Sequence, residues 1–273
     1  MPQLGLATAT RGFHLGLVSP PNVVPPKGHV LASSEALRPS SHSPPRGRPF
    51  SFPAPSSRHA TTAPQMATSL LEVADLACRR GGRKVFERLS FSLAAGEMLT
   101  LMGRNGSGKT TLLRALALLV RPEVGMIHWQ GVDVRAEPEA WRGRIAWLGH
   151  LEGLKGDLSV AENLLSAERL RGVPSAEDRL DSALVAFDLS SLAARAVRTL
   201  SAGQRRRTAL ARVVLAQAPL WLLDEPLNAL DVPAQAAFRA ALEKHLAAGG
   251  LAIAATHANL GVAGRMLELS RQT

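Results

Sequence analysis

The segment Gly103-Arg-Asn-Gly-Ser-Gly-Lys-Thr110 constrains the fold of this chain more than any other part of its sequence. It matches the pattern G-x-x-x-x-G-K-[S/T], and it lies between a short apolar run, residues 98–102, and a helix-like stretch, residues 110–120. Its three glycines allow backbone conformations that bulky residues cannot adopt, so that successive N–H groups can converge on one anion. A helix that opens near Lys109 adds its positive end. The sequence therefore predicts a strand, a phosphate-binding loop and a helix, in that order.

Two side chains of this loop have individual predicted roles. Lys109 is placed to reach the β- and γ-phosphates of a nucleotide, and the Thr110 hydroxyl is placed to bind Mg²⁺. The predicted nucleotide-binding residues here are Gly103, Arg104, Asn105, Gly106, Ser107, Gly108, Lys109, Thr110 and Thr111. A glycine-rich turn before an ordinary helix is the alternative, but the flanking strand and helix are what phosphate binding requires. On its own the motif indicates a P-loop nucleoside triphosphatase and nothing narrower.

A second predicted part of the site is an apolar strand, residues 220–223, that ends in the carboxylates Asp224 and Glu225. The carboxyl ends of parallel strands face the ligand crevice of an α/β sheet. Asp224 is therefore expected to hold Mg²⁺, usually through water, and Glu225 to orient or deprotonate the attacking water. Two solvated acids at a strand end are common, but the loop upstream makes that alternative unattractive.

The rest of the apolar pattern predicts an α/β fold. Residues 70–76 and 89–93 alternate apolar and polar side chains, as half-buried antiparallel strands do. Residues 160–194 are mostly helical in pattern, with a break at Pro174. Further short strands are predicted at residues 127–129, 145–148 and 251–255. Strands that alternate with helices favour a core sheet of parallel strands.

The composition restricts the cellular compartment and the mode of membrane association, but it does not identify the binding partner. No apolar run approaches the roughly 18 residues that a membrane-spanning helix needs, so membrane association would require a partner or surface charge. Cys78 is the single cysteine, which excludes an intramolecular disulfide and makes a reducing compartment the natural interpretation. The net charge of +10 would suit nucleic acid, anionic lipid or a phosphate ligand equally.

Residues 1–65 differ in character from the remainder. They contain 12 of the 18 prolines and six Lys or Arg residues, and Glu35 is their one acidic residue. Such a segment cannot bury enough apolar surface to offset its ordering entropy. We expect residues 1–65 to be disordered and residues 66–273 to form the folded domain. The extension is either an organellar transit peptide, which would be basic and Ser-rich, or the product of a reading frame extended upstream of Met66.

The segment Leu200-Ser-Ala-Gly-Gln204 narrows the class, because it resembles the LSGGQ signature of the ABC transporter ATPases. Its third position is Ala202 instead of glycine, and Gln204 lies twenty residues before Asp224. Two further elements follow in the order of that family. Asn228-Ala-Leu-Asp231 resembles the D-loop, and Thr256-His257 resembles the switch histidine at the end of the last core strand.

The resemblance covers residues 70–260 and implies an ABC-type nucleotide-binding domain. Such a domain has a mainly parallel core sheet, an antiparallel β subdomain and a helical subdomain. Its ligands would be ATP and Mg²⁺, and His257 would join Glu225 as a catalytic residue.

In that family two domains form a head-to-tail homodimer that sandwiches two ATP molecules. The resemblance therefore implies that Ser201 and the N–H of Gly203 contact the γ-phosphate bound by the partner protomer. Asp231 of the D-loop is also predicted to bind nucleotide. The basic triplet Arg205-Arg-Arg207 is expected to be solvated or to lie at an interface, and not to bind nucleic acid.

One departure from the family pattern points to a subfamily. The glutamine that usually follows the strand at residues 145–148 is missing, and His150 stands there as a predicted catalytic residue. The segments Leu148-Gly-His-Leu-Glu-Gly-Leu-Lys155 and Leu158-Ser-Val-Ala-Glu-Asn-Leu164 resemble the ATPase subunits of the cytochrome c maturation system, also called haem exporter A subunits. That subfamily has Gly-His at this place, an LSAGQ signature and little chain after the switch histidine.

A second departure concerns the aromatic residue on which adenine stacks in this family. By its spacing from Gly96 it should lie near Arg79 or Arg80, and neither is aromatic. An arginine plane can stack on a base, and either arginine can equally be a plain surface charge. Phe86 is the nearby aromatic, and its neighbours suggest that it belongs to the core.

The resemblance thus implies an ATP-hydrolysing subunit of an ABC transporter in cytochrome c biogenesis, serving haem export or the release of a haem-loaded chaperone. Its partners would be integral membrane transporter subunits of the cytochrome c maturation type, and it would lie peripherally on the cytoplasmic face of a bacterial inner membrane. The alternatives are the ATPase of another ABC transporter and a soluble ABC ATPase of translation or DNA repair. A single set of motifs without a heptad insertion argues against the soluble class. A binding module without catalysis is opposed by Lys109, Asp224, Glu225 and His257.

Overall fold

The computed structural model describes residues 69–170 and 176–270. The predicted disorder of residues 1–65 and the predicted helix break at Pro174 lie outside these ranges. The described strands are β1 (Ser69–Arg80), β2 (Arg83–Ala94), β3 (Met98–Met102), β4 (Val124–Trp129), β5 (Val132–Asp133), β6 (Ile145–Leu148), β7 (Leu220–Asp224), β8 (Leu251–Ala255) and β9 (Arg265–Glu268). The described α-helices are α1 (Lys109–Leu116), α2 (Pro138–Gly143), α3 (Val160–Leu170), α4 (Ala176–Ala186), α5 (Ala202–Leu215) and α6 (Val232–Ala247).

An antiparallel sheet has the strand order β2-β1-β4-β5. Its two long strands form a hairpin whose turn is Gly81-Gly82, with φ values of 57° and 75° that favour glycine. Side chains such as Leu71 and Leu93 are fully buried on its inner face, while intervening positions such as Glu72 are exposed. The alternation seen in the sequence therefore marks a half-buried antiparallel sheet, as predicted.

A second sheet is parallel throughout and has the strand order β6-β7-β8-β3-β9. Every residue of β7 and β8 is buried, which explains why these two strands are almost continuously apolar. The loops that follow β6, β7, β8 and β3 consequently emerge side by side at one edge of the sheet. This edge carries most of the residues that the sequence predicted to be functional.

A helical layer formed by α3, α4 and α5 packs against this sheet. Phe187 and Leu210 are at most 2% exposed, and they share one apolar cluster with Trp221 of β7. The cluster is continuous from the helices to the sheet, so the position of α5 depends on that of β7. Together the two sheets and the helical layer confirm the predicted α/β fold with a parallel core, an antiparallel β subdomain and a helical subdomain.

Some element bounds differ from those predicted. The helix α1 ends at Leu116 instead of Val120, because Leu118 has a left-handed φ of 54° and the chain then turns toward Pro122. The strand β9 was not predicted, since three of its four residues are exposed and it carries no clear apolar period. The helix α6 was also not predicted, because its many alanines blur the contrast between a buried and a solvated face.

Candidate functional site

The predicted site lies at the carboxyl edge of the parallel sheet. The loops there carry His150 after β6, Glu225 after β7, His257 after β8 and the glycine-rich loop after β3. Because β6, β7, β8 and β3 are consecutive in the sheet, segments far apart in the chain become neighbours. This is the edge at which α/β sheets bind their ligands.

Steric contacts explain two glycines of the loop. At Gly103, with φ 136°, a Cβ atom would lie 2.4 Å from the Leu269 carbonyl oxygen and 2.7 Å from Ser107 Oγ. At Gly108, with φ 105°, it would lie 2.5 Å from a methyl carbon of Val85. Larger residues at either position would displace the loop from the strands that support it. The tip of the loop is exposed at Arg104, Asn105 and Gly106, whereas Ser107 and Thr111 are buried.

Lys109 is the first residue of α1, and its side chain folds back across the loop. The residue is 8% exposed, and Nζ donates to the carbonyl oxygens of Gly103 at 2.5 Å and Arg104 at 3.3 Å. Nζ also lies 3.5 Å from His257 Nε2. The ammonium group is therefore held beside the converging backbone of the loop, where it would face the phosphates of a bound nucleotide.

Thr110 and Asp224 come together from positions 114 residues apart in the chain. The Thr110 hydroxyl donates a 2.9 Å hydrogen bond to Oδ2 of Asp224, which is 5% exposed at the end of β7. Two neighbouring oxygen ligands of Mg²⁺ lie roughly 3 Å apart when both bonds are about 2.1 Å long, so this pair fits two adjacent coordination positions. Within the described ranges no group of three His, Cys, Asp or Glu residues could hold a metal by itself.

Glu225 follows Asp224 in a strained backbone conformation. Its φ is 47°, which is left-handed and unusual for a residue with a Cβ. Its N–H donates to the Ala255 carbonyl oxygen at 2.8 Å, and its own carbonyl accepts a 2.5 Å hydrogen bond from Arg206 Nη2. The surrounding chain thus holds the peptide on both sides, and Glu225 is partly exposed directly after the carboxyl end of β7.

The signature segment begins α5 through a capping box. Ser201 Oγ accepts from the Gln204 N–H at 3.2 Å, and Gln204 Oε1 accepts from the Ser201 N–H at 2.9 Å. Ser201 is exposed, and a Cβ at Gly203 would lie 3.1 Å from the carbonyl oxygen of Ala229 in the D-loop. Asp231 caps α6 by accepting from the Ala234 N–H at 3.0 Å.

In the part of the chain that the structure describes, no hydrogen bond joins Ser201, Gly203 or Asp231 to the phosphate loop at residues 103–110. The structure therefore brings the signature and the D-loop together, but it does not bring them to this chain's own Lys109 and Thr110.

His150 and the candidate adenine-stacking arginines, Arg79 and Arg80, are all exposed. His150 lies in the bend after β6, and within residues 69–170 and 176–270 no hydrogen bond joins its ring to Lys109, Asp224 or Glu225. Arg79 Nε lies 2.9 Å from Glu123 Oε2, so its guanidinium is already paired. Arg80 is exposed and forms no ion pair within the described ranges, which leaves it the freer of the two to meet a base. Phe86 is 4% exposed and belongs to the core, as the sequence indicated.

The expected solvation of the triplet Arg205-Arg-Arg207 is wrong for Arg206. This residue is 4% exposed, and its guanidinium donates to three carbonyl oxygens at the site: Gly149 at 3.1 Å, Asp224 at 2.9 Å and Glu225 at 2.5 Å. Burial lowers its pKa, although the nearby carboxylates of Glu152, Asp224 and Glu225 oppose that shift. By contrast, Arg205 donates to the Leu200 carbonyl oxygen, and Arg207 pairs with the exposed Asp188.

Two features of the sequence give opposite predictions for Arg206: its helical spacing predicts burial, and its charge predicts exposure. Arg206, Ala209, Leu210 and Val213 are spaced i, i+3, i+4, i+7, which places the arginine on the buried stripe of α5. Charged residues are rarely buried unless they are paired, so the sequence favours a basic triplet that is solvated or lies at an interface. Arg212 was missed for the same reason. It donates to the carbonyl oxygens of Gly153 at 2.8 Å and Glu152 at 2.5 Å.

Comparisons with known proteins support an assignment to a family. The model of the ABC transporter family matches residues 86–228. A cytochrome c biogenesis ATP-binding export protein CcmA of Cupriavidus necator is 47% identical over 191 residues, covering 70% of this chain and 84% of the relative. A protein of Cupriavidus metallidurans with the same description, CcmA 2, is 44% identical over 205 residues, covering 75% of this chain and 97% of the relative.

Solved structures give the same assignment. The ATP-binding subunit of an ABC transporter has a TM-score of 0.65 and 29% identity, over 69% of this chain and 80% of that one. A putative ABC transporter ATP-binding protein from Pyrococcus furiosus has a TM-score of 0.65 and 27% identity, over 73% and 96%. The chain therefore belongs to the ABC transporter family of ATP-binding proteins, together with the cytochrome c biogenesis ATP-binding export proteins.

Proposed function

We propose that this chain is the ATP-hydrolysing subunit of an ABC transporter complex that serves cytochrome c biogenesis. The observation that carries the proposal is the meeting of Lys109, Thr110, Asp224 and His257 at one sheet edge, with Thr110 Oγ1 2.9 Å from Asp224 Oδ2 and Lys109 Nζ 3.5 Å from His257 Nε2. Residues 66–273 would form this ATPase domain.

Each residue of the site has a separate task in the proposed reaction. The backbone of the loop at 103–108 binds the phosphates, and Lys109 offsets their negative charge. Thr110 and Asp224 would hold Mg²⁺, which when bound supplies charge neutralisation at the phosphate oxygens. Glu225 would accept a proton from the attacking water or orient it. His257, beside Lys109, would contact the γ-phosphate side of the nucleotide.

A complete site would need a second copy of the chain. Ser201 is exposed at the start of α5, where the positive end of the helix can meet a phosphate. We propose a head-to-tail homodimer in which Ser201 and Gly203 of one protomer contact the γ-phosphate held by its partner. Asp231 and the exposed His150 would lie near the same junction.

The proposed membrane partners supply the transport step. The helices within residues 69–170 and 176–270 do not include one with the length and hydropathy of a membrane span. Relatives at 44–47% identity are described as cytochrome c biogenesis export proteins. We therefore propose integral membrane subunits of the cytochrome c maturation type as partners, with this chain peripheral on the cytoplasmic face of a bacterial inner membrane.

Replacing Asp224 with asparagine should raise the Mg²⁺ concentration needed for half-maximal hydrolysis by about tenfold or more. The substitution keeps the shape of the side chain but removes the negative charge that attracts the cation. Titration of phosphate release with Mg²⁺ at fixed ATP measures the effect, and Asp181→Asn, which changes an exposed acid of α4, provides the control. Equal Mg²⁺ requirements for Asp224→Asn and the unaltered chain would remove Asp224 from the metal site.

Deletion of the gene should leave c-type cytochromes made but without covalent haem. Haem staining of proteins separated by denaturing electrophoresis reports covalent attachment, and immunodetection of the same polypeptides reports their synthesis. A strain with a deleted ATPase of an unrelated transporter is the control. Normal haem attachment in the deletion strain would refute the role in cytochrome c biogenesis, and it would favour another ABC transporter.

A further inference from the structure

The guanidinium of Arg206 links three segments that carry predicted site residues. It projects from the first turns of α5, two residues after the signature, and donates to Gly149, the residue before His150. It also donates to the carbonyl oxygens of Asp224 and Glu225 at the end of β7. All three acceptors are backbone atoms, so the contact fixes main-chain positions and not merely side-chain rotamers.

Backbone geometry shows why this contact matters at Glu225. A left-handed φ at a residue other than glycine persists only where its surroundings hold it. Three hydrogen bonds do so here: the Glu225 N–H donates to Ala255, and the Glu225 carbonyl accepts from Arg206 and, at 3.2 Å, from the Asn228 N–H. Loss of the Arg206 contact would remove the shorter of the two bonds to this carbonyl and loosen the hold on the peptide and on the carboxylate that follows it.

Arg212, six residues further along α5, makes a related contact with the same loop, but it forms no hydrogen bond with the end of β7 among the described residues. Its guanidinium donates to the carbonyl oxygens of Glu152 and Gly153, in the loop that contains His150. Thus both arginines hold the 149–153 segment against α5, whereas the contact with Asp224 and Glu225 belongs to Arg206. A variant of Arg212 therefore loses hydrogen bonds to the loop alone, whereas a variant of Arg206 also loses those to the backbone of Asp224 and Glu225.

The shape of the arginine head group suits this position. A planar guanidinium has five N–H donors in fixed directions, so one side chain can bridge carbonyls of two neighbouring strand ends. A lysine ammonium presents its donors around a single point and reaches fewer of these acceptors. The positive charge also lies close to the acidic pair at 224–225, which compensates for its burial.

We infer that Arg206 is a positioning residue of the ATPase reaction, which couples the signature helix to Glu225 and to the loop that carries His150. The inference rests on the proposed function. A movement of α5 on contact with the partner's nucleotide would be transmitted through one rigid group to the general base. Arg206 itself touches neither the nucleotide nor the attacking water in this scheme.

The test compares Arg206→Gln, Arg206→Lys and Arg212→Gln in the full chain. For each variant, single-turnover hydrolysis of Mg²⁺-ATP gives the rate constant, calorimetric titration with ATP in EDTA gives the Kd, and thermal unfolding gives the Tm. Arg206→Gln should lower the hydrolysis rate on the order of 100-fold, as misplacement of a reacting group does, while the Kd changes less than twofold. Arg206→Lys should recover part of the rate. Arg212→Gln should lower the Tm, since Arg212 also lies near the buried Glu168, but lower the rate less than fivefold.

Parallel losses of rate, affinity and Tm in both glutamine variants would overturn the inference, since they would show that Arg206 only stabilises the fold. A rate for Arg206→Gln within threefold of the unaltered chain would overturn it as well. If Arg206→Gln does not fold, Arg206→Lys decides: an unaltered hydrolysis rate contradicts the need for the planar fork. Failure of the proposed function is distinct, because the unaltered chain would then itself bind no ATP or release no phosphate.

Discussion

Glu225→Gln should lower ATP turnover by at least about 100-fold, the contribution expected of a general base, and leave the Kd for ATP unchanged within twofold. Glutamine keeps the size of the side chain and the hydrogen bonds of the 225 backbone, but it cannot accept a proton from water. Because Glu225 lies one residue beyond the metal-binding candidate Asp224, nucleotide binding does not depend on its charge.

Phosphate release at saturating Mg²⁺-ATP measures the turnover, and equilibrium titration measures the Kd. The matched control is Glu243→Gln, which changes an exposed carboxylate of α6 and should have no effect. Turnover of the Glu225→Gln variant at the level of the unaltered chain would exclude Glu225 as the base.

Lys109→Ala should weaken ATP binding itself by about 10- to 100-fold. A hydrogen bond to a charged group contributes about 1.5–3 kcal/mol, which corresponds to that range of affinity. Nζ is held between the Gly103 carbonyl and His257, beside the phosphate loop, so the substitution removes a positive charge that is already in place. Titration calorimetry with ATP gives the affinity, and thermal unfolding without nucleotide verifies that the variant is folded.

Lys244→Ala is the corresponding control, since Lys244 is exposed on α6 and distant in sequence from the loop. Unchanged ATP affinity in a folded Lys109→Ala variant would contradict the assignment of the phosphate loop.

The parallel sheet and the phosphate loop could be predicted because their signals are local. Leu251–Ala255 is buried at every position and Met98–Met102 is buried or partly buried throughout, so their largely apolar composition distinguishes them from half-exposed strands. Close contacts with Leu269 and Val85 require glycine at positions 103 and 108. The motif predicts the two glycines, but it does not identify the residues that they contact. The sequence assigned Thr110 and Asp224 to Mg²⁺ separately, Asp224 by the rule that parallel strands present their carboxyl ends at one edge, and the structure adds the hydrogen bond between them.

The role of Arg206 could not be predicted in the same way. Its partners are carbonyl groups, which every residue possesses, so no partner side chain in the sequence marks the contact. Its burial depends on the packing of α5 near the ends of β6 and β7. The carbonyl groups that it meets there belong to Gly149, 57 residues earlier in the chain, and to Asp224, 18 residues later. The edge strand β9 was missed for a different reason: it is short and exposed, and only its pairing with β3 makes it a strand.

Complementation of the deletion strain tests most directly whether hydrolysis at this site drives cytochrome c biogenesis. The unaltered gene and the Glu225→Gln gene are expressed at equal levels in the deletion strain, and covalent haem on c-type cytochromes is measured by haem staining. We expect the unaltered gene to restore haem attachment and the Glu225→Gln gene to leave the cytochromes without haem. Full restoration by the Glu225→Gln gene would contradict the account, because haem attachment would then proceed without the proposed catalytic base.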